Sequence, residues 1–509
     1  MINSNKILFS VFTFALFLSL NGNYIIHSQA ETNSDFDPLV DVSVTFSLDE
    51  IRSLEKDEDQ VNSKEYIDKY TAPDFYLKVW INHELYESPV WRNTRYIYDS
   101  DWEATCNVPD DEELVDIKIQ LWDWNLGIDQ ICDISGDNSY LKDSYDIELN
   151  YSIKYGIWWG DDRTSISEPI SMDSSGYGRL NGCDDGSIYQ RDRDVEVWFS
   201  ISQNDFDGDG VPYWAEENIF ETDPTIDDSQ RDDDNDGIPL SWEYHWGHED
   251  GYDYQSDEYY HEWVYHPFEY NDHQNLDPDN DGLTNYEEYL TSQWHSDPFR
   301  KDLFVEMDHM DVSPEGVESI LPDGSKELLR TAYDRRNIVY HLDEGNMGGG
   351  GEIISFDELS SYNELRNYYQ QYFLHNDEDN WRKGVFHYGL VVYEAEHAYG
   401  FVFLRDAYQI SSVGMDKRAR VPGSDRDIVY ASAYMHECGH TLGIYNGNTP
   451  GCDDQEGKYP WQLNWWKWLP YKSVMNYGYM YRMVDYSDGS RGKNDFDDWN
   501  RIDLTYFQQ

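Results

Sequence analysis

Basic residues are scarce in this chain: 37 Lys and Arg stand against 101 Asp and Glu, a formal charge of −64 over 509 residues. That scarcity argues against a nucleic-acid partner, because no long basic stretch exists to release counterions from phosphates, and anionic lipid would be repelled as well. Self-repulsion on this scale has to be neutralised, and bound cations do so directly. Cysteine is rare too. Cys106, Cys132, Cys183, Cys438 and Cys452 are too few for a small disulfide-stapled scaffold, although in an exported chain they permit two disulfides with one thiol left over. Spacing does not derive the pairing; Cys106 with Cys132 and Cys438 with Cys452 are the pairs left open. Long apolar runs are missing after the first thirty residues, so no later segment is expected to cross a bilayer. Within those thirty, Lys6, an apolar run over 7–20 and Ser28-Gln29-Ala30 read as a secretory signal (1–30), which sends a mature chain starting near Glu31 to the cell exterior or its surface. An uncleaved anchor is the alternative, although the run is shorter than the ~20 residues that a span needs.

What is abundant is aromatic and acidic. Aromatic residues make up 16% of the chain, ample for several cores, and the length suits about three domains. The segment 31–203 alternates apolar and polar residues over 42–46, 75–81, 116–122, 147–153 and 195–201, between polar turns, and predicts an antiparallel β-sandwich. Pro73-Asp74-Phe75-Tyr76-Leu77-Lys78-Val79 and Leu121-Trp122-Asp123-Trp124-Asn125, followed by Asp129, resemble a C2-type domain, with the Asp-Pro order reversed. The resemblance implies that Asp74, Asp123 and Asp129 lie in loops at one end of the sandwich, as calcium ligands or as ordinary turn residues.

The segment 204–299 carries an internal repeat, D-x-D-x-D-G-x-x-x-x-x-E. It occurs as Asp205, Asp207, Asp209 and Glu216; as Asp232, Asp234, Asp236 and Glu243; and as Asp277, Asp279, Asp281 and Glu288. Ca²⁺ takes six to eight oxygens, which carboxylates at positions 1, 3 and 5, a carbonyl at 7 and a bidentate Glu at 12 supply, with Gly at 6 for the sharp turn. A solvated acidic linker would not fix the Gly and Glu offsets. Short helices are expected at 213–220 and 285–291, too incomplete for paired EF-hands. The region resembles thrombospondin type 3 and dockerin-like calcium repeats, which implies a spacer that is rigid with Ca²⁺ and loosened without it.

In 300–509, strands are expected at 303–307 and 337–341, a helix at 359–373, and a pair of strands at 389–394 and 400–405, an α+β pattern. A last helix is expected at 498–507, below an acidic tail. Ahead of that tail stands His436-Glu437-Cys438-Gly439-His440-Thr441-Leu442-Gly443. Residues four apart share a helix face, so His436 and His440 can bring their ring nitrogens to one Zn²⁺, about 2.0–2.1 Å away. Glu437 then sits beside the open coordination position, where it can take a proton from a water that the ion has acidified to a pKa of roughly 7. Gly443 accepts a left-handed break after the helix. Farther on, Ser473-Val474-Met475-Asn476-Tyr477 places a methionine in a tight turn with a tyrosine two residues later.

With these elements the chain resembles the metzincin metallopeptidases, whose signature H-E-x-x-H-x-x-G-x-x-H and downstream Met-turn it matches in all but one position. The resemblance implies Met475 as the floor under the metal, Tyr477 as a hydrogen-bond donor to the metal site or the oxyanion, and an edge strand, 399–404, that binds peptide by β-augmentation. The departure is Asn446, where the family has its third ligand. Asn446 as a weak ligand, a nearby group such as Asp453, Asp454 or Cys452, or a degenerate site all remain open. The functional expectation is a secreted, calcium-stabilised zinc endopeptidase acting on protein or peptide. The alternative is an exported calcium-dependent binding or adhesion protein with a degenerate peptidase domain.

Overall fold

Strands that face a core on one side alternate buried and exposed positions, and Leu114–Asp123 does so along its length. In the computed structural model, the described residues are 42–508 except 56–66, 68–70, 99, 110–112, 136–144, 162–177, 184–192 and 254–257, so the expected signal segment lies outside them. Within 42–202, two sheets form. One runs in the order Gly178–Asn181, Val195–Ser202, Ser43–Ser53 and Tyr96–Ile97, with Trp102–Asn107 also paired to Ser43–Ser53. The other runs Glu84–Glu87, Phe75–Ile81, Leu114–Asp123, Ile147–Ser152 and Trp158–Gly160, with Gln130–Ile131 alongside Leu114–Asp123. All of these pairings are antiparallel. Phe46, Val197 and Phe199 from the first sheet share one core with Leu77, Ile119 and Leu149 from the second, which makes the N-terminal region a β-sandwich.

The acidic segment is built of short helical pieces, among them Tyr213–Ala215 continued by a π turn at Glu216–Phe220, Leu240–Trp246, and Asn285–Thr291 with a Thr284/Glu287 capping box. A hairpin, His248–Asp253 with Glu258–Trp263, lies between them.

The C-terminal sheet runs Ile338–Asp343, Lys301–Met310, Phe386–Val392, Ala407–Ser411 and Gly400–Leu404, with Ile353–Ile354 also beside Lys301–Met310. Its pairings are parallel except for Gly400–Leu404, the antiparallel edge. The expected strand pair 389–394 and 400–405 is therefore corrected. Ala407–Ser411 sits between those two strands, because the chain turns back at Arg405-Asp406 into a hairpin and then crosses in parallel to Phe386–Val392. Both faces are covered. Leu303, Val305 and Met307 pack under the helices Asp323–Asp334 and Arg426–Thr441, and Phe304 with Phe386 and Leu390 packs under the helical segment around Leu365 and Phe373. With both faces covered, Phe386–Val392 is buried at every position instead of alternating.

Two further expectations are revised. The last helix reduces to single turns at Trp499–Arg501 and Tyr506–Gln508, because Ile502 is extended (ψ 128°), and Asp498 accepts from the Tyr471 hydroxyl at 2.8 Å. Cys106, Cys132, Cys438 and Cys452 are free, buried thiols. Cys438 faces the core, 3.7 Å from the Tyr333 hydroxyl, whereas Cys452 points at Asp453, so that pair does not bridge. Among the described residues, no helix is long and apolar enough to cross a membrane.

Candidate metal centres

The helix Arg426–Thr441 starts from an Asp425 cap and ends in a Schellman motif: Ile444 N–H donates to Gly439 O (2.9 Å) and Gly443 N–H to His440 O (3.2 Å). Gly443 has φ +85°, as that motif requires. The motif then acts on the site, since Ile444 O accepts from His440 Nδ1 at 2.7 Å. His436 Nδ1 donates to Val474 O at 2.8 Å, inside the methionine turn. Both Nδ1 atoms are thus committed to backbone carbonyls, which turns each Nε2 toward the same side, the orientation that carbonyls impose on metal-binding histidines.

The two Nε2 atoms converge on one carboxylate. Asp453 Oδ1 lies 3.1 Å from His436 Nε2, and Oδ2 lies 3.4 Å from His440 Nε2. Asp453 Oδ1 is buried and makes no hydrogen bond. Two imidazole nitrogens and a carboxylate in this arrangement fit a divalent ion with N/O preference. Asp453 N–H donates to Met475 O (3.2 Å), so consecutive carbonyls of the turn, Val474 and Met475, position two of the three groups. Asn446 is committed elsewhere: its amide donates to Cys452 O at 2.8 Å, bracing the loop that presents Asp453. The Cys452 thiol also lies close to His440 and Asp453, whereas Asp454 accepts from Asn464 and Trp468.

Glu437 is buried beside the ligands, and burial pushes its carboxyl up to about 7, against the pull of His436 and with the Asp453 charge in the same direction. Tyr477 stacks on His436, with ring centroids 5.6 Å apart, and its hydroxyl is bonded to Asp453. Met475 is fully buried under the helix, where a Cβ on Gly439 would come within 2.7 Å of its sulfur. Sequence reasoning missed Gly400. A Cβ there would lie 2.4 Å from Glu437 Oε1, so the edge strand passes over the carboxylate only because residue 400 has no side chain. A cavity of about 260 Å³ adjoins Glu437, lined in part by Arg418, Lys458, Trp465, Tyr477 and Tyr481.

The three acidic loops repeat one hydrogen-bond scheme. The glycine N–H at position 6 donates to the first aspartate (Gly210 to Asp205 at 2.8 Å, Gly237 to Asp232 at 3.2 Å, Gly282 to Asp277 at 3.2 Å), with φ between +91° and +101° at these glycines. The N–H at position 7 donates to the third aspartate: Val211 to Asp209, Ile238 to Asp236 and Leu283 to Asp281. What the scheme leaves over includes the same two positions each time. Oδ2 of Asp207, Asp234 and Asp279, and one oxygen of Glu216, Glu243 and Glu288, are buried without a hydrogen bond. Burial, then Asp207 and Asp209, push Glu216 up to about 8; burial, then Asp236 and Asp234, push Glu243 up to about 9. Unpaired oxygens turned inward under mutual repulsion are what a hard cation would satisfy. The C2-type loop carboxylates differ, since Asp123 accepts from Asp74 N–H (2.9 Å) and Asp129 from the Tyr76 hydroxyl (2.9 Å), as turn residues do.

No family model matches the chain, and no curated protein matches it. Among solved structures, a C2 domain is 10% identical over 32% of this chain and 98% of its own, at a TM-score of 0.18. A C2 domain protein from Ramazzottius varieornatus is 9% identical over 32% and 87%, at 0.19, and human GIVD cytosolic phospholipase A2 is 10% identical over 32% and 17%, at 0.17. Likenesses at these TM-scores carry no argument, and the site is read from its own chemistry.

Proposed function

We propose that the chain is an exported, calcium-stabilised zinc endopeptidase of the metzincin kind, with His436, His440 and Asp453 as zinc ligands and Glu437 as general base. The observation that carries this reading is the convergence of two imidazole Nε2 atoms and the Asp453 carboxylate beside a buried glutamate. Zn²⁺ held there would supply Lewis acidity toward the scissile carbonyl and acidify a water. Glu437 takes the proton of the attacking water and returns it to the leaving amine, a task matched by a carboxyl held near pH 7. Tyr477, held against His436, donates to the developing oxyanion. The edge strand Gly400–Leu404 pairs on one side with Ala407–Ser411, and its other side lines an extended substrate up over Glu437. The acidic loops hold Ca²⁺ through the oxygens left without hydrogen bonds.

Replacing Glu437 by Ala leaves the imidazoles and Asp453 in place. The variant should keep its zinc while cleavage of a denatured protein substrate falls by about 10²–10⁴-fold, the usual worth of a general base. Equal cleavage by both proteins would overturn the assignment. Absence of both zinc and cleavage in the native chain would favour an exported calcium-dependent binding protein instead.

A further inference from the structure

The three acidic loops differ in what a later segment brings to them. In the second and third, a backbone N–H from beyond the loop donates to the aspartate at position 5, Asn271 to Asp236 Oδ2 (3.1 Å) and Asp302 to Asp281 Oδ2 (2.7 Å), and in the first the Asp228 carboxylate lies beside Asp209 and Glu216. The first and third loops therefore receive a fifth carboxylate. In the second loop the equivalent residue is neutral Asn271, whose Oδ1 is buried without a hydrogen bond.

Two residues on, His273 fills the gap. It is fully buried, and its Nε2 makes no hydrogen bond while lying 3.2 Å from Asp236 Oδ2 and 3.6 Å from Glu243 Oε1. Donors bonded to one ion at about 2.0–2.2 Å are separated by roughly 3–3.5 Å, close to the spacings of 3.2 and 3.6 Å here. The other ring nitrogen, Nδ1, is 3.0 Å from the side-chain amide of Asn285, whose own Oδ1 has no partner. With that amide turned so that Oδ1 faces the ring, Nδ1–H is the donor, a buried oxygen is satisfied, and Nε2 is left as a lone pair aimed into the loop. Trp242 and Tyr265 pack edge-on against the imidazole and fix that direction.

We infer that the second acidic loop is a mixed nitrogen and oxygen site for a first-row transition-metal ion, with Asp236, Glu243 and His273 as ligands, while the first and third loops take Ca²⁺. Imidazole is a poor ligand for Ca²⁺ and a good one for Zn²⁺, Co²⁺ and related ions. The inference rests on the reading that these loops are cation sites, and it differs from that reading in the kind of ion.

The test uses the full chain carrying His436→Ala and His440→Ala, so that the peptidase-like centre contributes no metal. After equilibration with Ca²⁺ and Co²⁺ together, native mass spectrometry and visible absorption count and characterise the ions. The expected result is two Ca²⁺ and one Co²⁺ per chain, with the Co²⁺ lost and both Ca²⁺ kept on further substitution of His273→Ala. His273→Asp, which restores a fifth carboxylate, should give three Ca²⁺ and no Co²⁺. If both variants misfold, a paramagnetically shifted imidazole N–H resonance in the His273-containing chain reports the same ligation. Three Ca²⁺ and no Co²⁺ with His273 present would overturn the inference and leave the imidazole as an outer hydrogen-bond donor. Co²⁺ undiminished in His273→Ala would also overturn it. Two Ca²⁺ without a third ion would sink this inference alone, and no ion in any loop would sink the cation reading with it.

Discussion

Glu306 and Asp308, two residues apart on the interior strand Lys301–Met310 of the C-terminal sheet, show what burying carboxylates costs when they are paired only in part. Glu306 meets Arg382 Nε at 2.5 Å, yet its other oxygen has no hydrogen bond; Asp308 accepts from Tyr388 and from Glu352 N–H. Burial pushes Glu306 from 4.5 up to about 8 against the pull of Arg382. Below pH 4.5 folded and unfolded chains both hold this proton. As pH rises toward 8 the unfolded chain releases it first, so the folded state binds more protons and each step upward favours unfolding. The stabilising contribution is complete at low pH and gone above about 8. Glu306→Gln, which cannot ionise, should therefore flatten the decline in unfolding midpoint between about pH 5 and 8, as denaturant titrations at a series of pH values would show. An unchanged slope would mean that Glu306 is ionised in the folded protein.

Elements meet at the candidate centre through backbone more than through side chains. The methionine turn offers carbonyls to His436 and to the Asp453 amide, the helix terminus offers one to His440, and the edge strand contributes clearance at Gly400. Gly400→Ala would drive a methyl group into the space of the Glu437 carboxylate without touching a proposed zinc ligand. Cleavage should fall on the order of 10–100-fold, the scale of a small misplacement of a catalytic group, with zinc content unchanged. Full activity in this variant would place the strand farther from the working carboxylate than the geometry requires.

Across the whole molecule, the sandwich and the helix Asp323–Asp334 of the C-terminal region are joined by buried ions. Arg52 Nε lies 3.1 Å from Asp334 Oδ2, Arg179 Nη2 lies 3.6 Å from Asp334 Oδ1, and Glu196 closes the group; all four residues are at most 5% exposed. Removing one member leaves its partners charged and dry. Asp334→Ala should destabilise the chain by roughly 3–5 kcal/mol, the usual effect of breaking a buried pair, in chemical denaturation followed in both halves of the molecule. A change under about 1 kcal/mol would mean that the interface admits water.

The sequence alone carried everything set by local spacing. The i, i+4 histidines with Glu437, the glycine after the helix, the methionine turn and the three loops with their Gly and Glu offsets are each short-range patterns, and short-range geometry follows from backbone periodicity. The sandwich strands were legible for the same reason, since period-two burial is written in consecutive residues. Tertiary structure alone decided what comes from far away. It brought Asp453 rather than Asn446 to the imidazoles, placed Ala407–Ser411 between two expected neighbours, aimed His273 into a loop 37 residues earlier, and set Asp334, at a helix end, between two arginines of the sandwich. Such contacts depend on where chain reversals return a residue, which no local pattern encodes.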